Sequence, residues 1–322
     1  MDFNALLIKR KNNIPVSRLL DYVTVELDFE LLAGFQGTGR PVCTWDVNRP
    51  GLALSGYLDY FANDRVQILG NTEIHFMERM EPSVLATVLA NMFSFEIPVF
   101  VLSRNLTPPA VFLNMCNRNG IPVLRTAMST AEVISRIILF LSEEFAPETS
   151  CHGTAVDVYG IGCLLVGKAG IGKSETALEL VERGHRLVAD DYVELKCSRE
   201  DYLYAQMNPV IHHHMEIRGV GIIDVRSIFG VGSVRNSKRI GMVAELEDWD
   251  EKTDYDRLGM SEKFVEILGV RIHHMRIPVK PGRNVGIIIE VAALNQRLKE
   301  MGISSADQLD KNVSSRNKQM GL

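Results

Sequence analysis

Gly167-Lys168-Ala169-Gly170-Ile171-Gly172-Lys173-Ser174 fills every fixed position of the phosphate-binding pattern G-x-x-x-x-G-K-[ST]. An apolar run, Cys163 to Val166, precedes it and a helical run, Glu175 to Arg183, follows. Strand, glycine loop and helix are the context in which such a loop works: its backbone N–H groups close around phosphate oxygens. Lys173 neutralises their charge, Ser174 is placed to ligate Mg²⁺, and the helix dipole favours an anion. The stretch predicts a nucleotide or polyphosphate site in an α/β domain.

Upstream, His152 to Val158 and Gly162 to Val166 read as short strands joined by Tyr159-Gly160-Ile161, a hairpin feeding antiparallel into the loop. Downstream, Gly184 stops the helix, and His185 to Ala189 reads as a strand ending in Asp190-Asp191. These carboxylates follow Lys173 by 17 and 18 residues, a spacing that can return them to the edge carrying the loop, where a metal ligand or catalytic base belongs. Alternation along an extended chain gives the two different tasks. On spacing alone, a solvated acidic turn stays open.

The 322 residues fit two domains, and 46% hydrophobic composition is ample for two cores. The first part alternates between strands and helices: strand Val66 to Leu69, helix Glu81 to Phe93, strand Pro98 to Leu102, helix Ala110 to Asn117 and strand Ile121 to Leu124. That order implies a small parallel α/β domain. Ser129-Thr130-Ala131-Glu132 has the capping-box pattern and opens a helix to about Glu144. The boundary is drawn there, giving domains 1–131 and 132–322. Gly34, Gly37 and Gly39 lack a strand-to-helix context and read as a flexible loop.

A net charge of -5 provides no global field for nucleic acid, and no uncharged apolar run reaches the 18 residues of a membrane span. Five scattered cysteines without a C-x-x-C predict neither a disulfide framework nor a zinc cluster and fit a reducing cytoplasm. His212-His213-His214 and His273-His274 look like metal ligands, but neighbours in a strand face opposite ways, so a solvent or interface role is favoured. Alone, Glu216 to Gly221 is a tight turn or substrate loop, Pro278 to Arg283 a rigid turn with two cations, and His152 a structural residue.

Taken in order, these blocks resemble the bacterial HPr kinase/phosphorylase family over nearly the whole chain. The resemblance is carried by His152-Gly153, by Gly172 to Leu180, by Arg183-Gly184-His185-Arg186-Leu187-Val188-Ala189-Asp190-Asp191 and by Glu216-Ile217-Arg218-Gly219-Val220-Gly221-Ile222-Ile223-Asp224-Val225. Asp256-Arg257-Leu258-Gly259 and Arg276 to Asn284 continue it. The first domain matches more loosely, through Arg49-Pro50-Gly51 and Gly56 to Phe61.

The resemblance implies a bifunctional, cytoplasmic, homohexameric enzyme whose kinase domain is akin to phosphoenolpyruvate carboxykinase. Such an enzyme phosphorylates a serine on the phosphocarrier protein HPr with ATP or pyrophosphate and Mg²⁺, and removes that phosphate with inorganic phosphate to release pyrophosphate. Partners are then HPr, ATP, phosphate and pyrophosphate, with neither nucleic acid nor membrane. Eukaryotic protein kinases are a different case, since His185-Arg186-Leu187 lacks the aspartate of H-R-D and no D-F-G occurs.

Carried onto this sequence, the family makes Asp191 the acid/base, Lys173 a phosphate-holding catalytic residue and His152 a support for the aspartate or phosphate. It makes Arg257 a stabiliser of transition-state charge, and Ser174 and Glu216 Mg²⁺ ligands. The segments containing Ile217, Arg218, Gly219 and Gly221, and Pro278, Lys280 and Arg283, follow as substrate and dephosphorylation loops. Asp190 is expected to act through metal affinity. From the residues alone, a metabolite kinase and a nucleotide-sensing regulator remain alternatives, the latter disfavoured because binding alone needs no base at Asp191.

Overall fold

The computed structural model describes residues 3–21, 28–198, 202–207, 213–251 and 262–303. The chain divides into two units, Arg10–Ala146 and a second made of Met1–Lys9 with Pro147–Leu322.

In the first unit, strands Val47–Asn48, Val66–Leu69, Phe100–Leu102 and Val123–Arg125 lie parallel, and Glu30–Ala33 closes the edge antiparallel beside Val123–Arg125. Helices Asn71–Glu78, Pro82–Met92 and Ala110–Asn119 bury one apolar stripe with Leu69, Phe100 and Leu102. Helix Thr130–Glu144 opens with the expected capping box of Ser129 and Glu132. Its Val133, Ile137, Phe140 and Leu141, spaced as one helical face, pack with Ile68, Val101 and Leu124 of this sheet. The helix therefore belongs entirely to the first unit, and the expected boundary at residue 132 moves to 146/147. Of the three glycines taken for a flexible loop, Gly34 and Gly37 are tightly packed, whereas Gly39 has open space around it. A Cβ on Gly34 would lie 2.0 Å from the Ile121 oxygen, and one on Gly37 1.9 Å from that of Gly120.

The second unit is built on a long strand, Ser237–Asp248. The strand Ile161–Gly167 runs parallel on one side of it and Val270–Val279 parallel on the other. Beyond Ile161–Gly167 come Thr154–Val158, antiparallel, and then Arg186–Ala189. The hairpin into the loop is present, with Tyr159 and Gly160 both at positive φ (50° and 89°), the conformation of a two-residue turn that follows strand twist. The segment expected as one strand from His152 to Val158 is two. Glu148–His152 pairs with Tyr192–Cys197, and the chain breaks at Gly153 before Thr154–Val158 begins.

Helices Lys173–Glu182 and Val285–Glu300 cover one face, burying Leu180, Val181, Ile289 and Ala293 against Val156, Leu165 and Met242. The other face packs Leu164, Val166 and Val243 against Cys151, Val193, Leu195, Leu203 and Phe3. Phe3 arrives from the far end of the sequence. Lys9 and Glu148 exchange backbone hydrogen bonds of 2.8 and 3.0 Å, and Thr149 Oγ1 donates to the Leu7 carbonyl at 2.9 Å. No helix among the described residues is long and apolar enough to cross a membrane. Free thiols at Cys116, Cys151 and Cys163 lie in the cores, and burial pushes that of Cys151 up to about 12, so it stays protonated and inert.

Candidate active site

The phosphate loop leaves a strand whose residues 161–166 are all buried, and re-enters regular structure at Lys173. Gly170 and Gly172 take φ of 78° and 101°, which an L side chain resists, so the glycines of the pattern set the loop's shape. Lys173 Nζ donates to the carbonyls of Gly167 at 3.1 Å and Lys168 at 3.2 Å, so the ammonium lies across the loop. Ser174, in the first helical turn, donates to Asp190 Oδ1 at 3.1 Å, and Thr154 Oγ1 donates to the same oxygen at 2.6 Å.

The two aspartates differ in burial, and a turn just past the end of the Arg186–Ala189 strand separates them, where extended-chain alternation was expected to do so. Asp190 is buried, and its Oδ2 has no hydrogen-bond partner among the described residues. Burial pushes its carboxyl above the ordinary carboxylate range, although the hydrogen bonds from Thr154 and Ser174 pull the other way. Asp191 lies in the left-handed region at φ 61°, within a tight turn closed by Tyr192 N–H donating to the Asp190 carbonyl at 2.7 Å. Its own carbonyl accepts from Gly153 N–H at 3.2 Å, tying it to the start of Thr154–Val158. The Asp191 side chain is 79% exposed, and its Oδ1 lies 3.8 Å from His152 Nδ1. That distance suits an ion pair once the imidazole is protonated and is too long for a hydrogen bond.

The hairpin of His214–Ile217 and Gly221–Asp224 anchors through Met215 and Ile217, buried beside Ile171 and Leu180. Arg218 at its tip reaches the loop: its Nη1 lies 2.8 Å from the position a Cβ on Gly170 would take. Glu216 pairs with Ile222 through its backbone, and its exposed side chain makes no hydrogen bond or ion pair among the described residues, so it is not joined to Ser174 here. Arg257 lies outside the described residues. Pro278 is the last residue but one of its strand and lies opposite Glu247, and Arg283 N–H donates to the Lys280 carbonyl at 3.0 Å, closing the turn. Lys280 Nζ stands 5.5 Å from the centroid of the Trp249 ring. Lys280 and Arg283 are exposed.

His213 and His214 start the same hairpin and His212 lies outside the described residues; His274 Nε2 meets Glu245 Oε2 at 3.1 Å while His273 stacks edge-on against Phe264. His273 and His274 thus meet different neighbours; no group of three or more His, Cys, Asp or Glu side chains that could hold a metal ion occurs among the described residues. Two site residues escaped sequence reading. Thr154 binds Asp190 across 36 positions, and Asp248 pairs with Lys168 of the loop across 80. For Asp248 the available signal is its place at the end of a strand parallel to the one that feeds the loop, since ligands gather beyond the carboxyl ends of parallel strands.

The chain is similar in both parts to one family. The model of the HPr Serine kinase N terminus matches residues 14–141, and that of the HPr Serine kinase C-terminal domain matches residues 143–313. An HPr kinase/phosphorylase of Thermoanaerobacter sp. (strain X514) is 44% identical over 302 residues, 94% of this chain and 98% of its own. One of Bacillus licheniformis is 46% identical over 295 residues, covering 92% and 95%. The solved structure of the Hpr(Ser) kinase/phosphatase from Coxiella burnetii aligns with a TM-score of 0.45 at 35% identity, over 48% of this chain and 93% of that one.

Proposed function

The chain belongs to the HPr serine kinase family, and from that membership we infer that it is a bifunctional HPr kinase/phosphorylase, an enzyme that both adds a phosphoryl group to a serine of HPr and removes it. The observation that carries the reading is the contrast at the strand end: a buried Asp190 bonded to Ser174 of the loop beside an exposed Asp191 with no duty in the core.

In the forward direction the loop amides and Lys173 hold the terminal phosphoryl group of ATP or pyrophosphate. Asp191 accepts the proton as the serine oxygen bonds to phosphorus and the bond to the leaving phosphate breaks. In reverse, an oxygen of inorganic phosphate attacks the phosphorus of phosphoserine, Asp191 returns the proton to the serine oxygen, and pyrophosphate leaves. His152, 3.8 Å from Asp191, is a positioning residue that stabilises the carboxylate when protonated. Arg218 covers the loop as a further cation for phosphate oxygens. By family resemblance alone, Arg257 adds charge to the transition state.

The hard-oxygen donor set of Ser174 and Asp190, with Asp190 Oδ2 buried and unpartnered among the described residues, fits Mg²⁺, and Glu216 is the further carboxylate assigned to it. Such an ion supplies neutralisation of phosphate charge. Kinship of the fold to phosphoenolpyruvate carboxykinase is supported by the antiparallel hairpin ahead of the loop. A homohexamer is supported by an apolar stripe of Ile287, Val291, Leu294, Leu298 and Met301, exposed at coiled-coil spacing on and just past the Val285–Glu300 helix.

The test is transfer itself. Label from ATP or pyrophosphate must reach a serine of HPr, and phosphate added to the product must release pyrophosphate. Label on a small metabolite, or on nothing, would overturn the reading.

A further inference from the structure

In-line phosphoryl transfer puts the attacking and leaving oxygens on opposite sides of phosphorus. Across the sheet the order is Arg186–Ala189, Thr154–Val158, Ile161–Gly167, Ser237–Asp248 and Val270–Val279. Asp191 stands beyond the first of these, so an acceptor serine enters on that flank of the loop. The remainder of the donor extends to the other flank, where Ser237–Asp248 and Val270–Val279 end side by side with Asp248 opposite Val279. With pyrophosphate the remainder is a single phosphate. With ATP it carries a nucleoside, which needs a flat apolar surface beside the loop.

The residue there is Trp249. It follows Asp248, whose carboxylate pairs with Lys168 of the loop, so the strand end and the loop are directly joined. Its backbone N–H donates to the Val279 carbonyl at 3.1 Å, which fixes its position, while 39% of the residue stays exposed. Lys280 Nζ, 5.5 Å from the ring centroid, sets a cation beside the indole. An exposed indole next to a cation matches a purine followed by phosphate: a base stacks on the ring, and charge meets charge.

We propose that Trp249 is the nucleobase platform of the donor site, the residue through which the enzyme distinguishes ATP from pyrophosphate; the proposal rests on the kinase/phosphorylase reading above. Asp248 is its positioning partner, holding the strand end against the loop.

Calorimetric titration of the full chain with ATP and, separately, with pyrophosphate, both with Mg²⁺, tests it. Trp249→Ala should weaken ATP by about fivefold or more relative to pyrophosphate, the loss expected for one stacked base, and Trp249→Phe should recover most of it. Equal weakening of both donors, or of neither, overturns the proposal, as does an Ala variant that binds ATP as well as the Phe variant does. Failure of the functional reading is a separate result: an unaltered chain that binds both donors yet labels no HPr removes the kinase assignment while the two affinities still judge Trp249.

Discussion

Asp190 and Asp191 are neighbours in sequence with opposite surroundings, and the difference sets what each substitution does. Asp191→Asn leaves Lys173 and the loop amides in place, so nucleotide affinity should persist while both directions of transfer fall by about 10²- to 10⁴-fold, the usual cost of a lost acid/base group. Equal loss of ATP affinity and turnover, read by calorimetry and initial rates, would make Asp191 a structural group instead. Asp190→Asn, besides the loss of metal affinity expected of it, acts on stability. Burial holds the folded-state value of Asp190 above the ordinary carboxylate range, so between the two values the folded chain binds more protons than the unfolded one. Stability contributed by the protonated form is therefore present below that window and is lost as pH rises through it. The Asn variant has no such loss: its melting temperature relative to the parent should rise as pH increases from about 4 to 8. A difference that stays flat with pH would contradict the assignment.

That the two aspartates have different surroundings was expected from alternation, but the strand ends at Ala189 and a tight turn with Asp191 at φ 61° is what sets them apart. The triad of Thr154, Asp190 and Ser174 was not legible in the sequence, because it closes contacts over 36 and 16 positions that no spacing encodes.

Among the elements, three parallel strands bring the loop, Asp248 and the segment from Pro278 to one sheet edge. The glycine loop could be read from sequence because its strand, turn and helix are contiguous. The adjacency of residues 167, 248 and 279 depends on pairing between distant strands, and periodicity does not choose partners. The 278–283 turn keeps its shape through two main-chain bonds, Trp249–Val279 and Arg283–Lys280, and through the Asn284 side chain, which accepts from Ile287 N–H at 2.8 Å to cap the next helix. Arg283→Ala thus removes charge and leaves the backbone intact. Phosphorolysis brings two phosphates into a site that the forward reaction enters with a neutral hydroxyl. The variant should lose at least about tenfold more phosphorolysis than kinase activity, roughly 1.4 kcal/mol of differential stabilisation. Matched initial rates in both directions at saturating Mg²⁺ decide it, and equal losses would assign the turn to HPr docking or subunit contact.

For the whole molecule, the boundary was misread because a capping box marks where a helix starts, not where a domain does; the face that Val133, Ile137, Phe140 and Leu141 present belongs with the first sheet. The opposite lapse concerns residues 3–9. They carry no strand pattern of their own, yet they join the second unit through Phe3, Leu7 and Lys9. A fragment beginning at Glu132 therefore carries a helix without its sheet and lacks part of the catalytic core, whereas joining residues 1–9 to a chain from Pro147 should restore that core. In the full chain, Phe3→Ala should destabilise the catalytic unit by about 1 to 3 kcal/mol. This is less than a typical buried Phe→Ala because the terminal segment can detach instead of leaving a void. Scanning calorimetry with and without ATP tells the units apart, since a ligand raises only the transition of the unit that binds it. The substitution should lower the ATP-sensitive transition and leave the other in place. A shift in the ATP-insensitive transition alone would show that the N-terminal segment stabilises the first unit, and the two-part composition of the catalytic core would have to be abandoned.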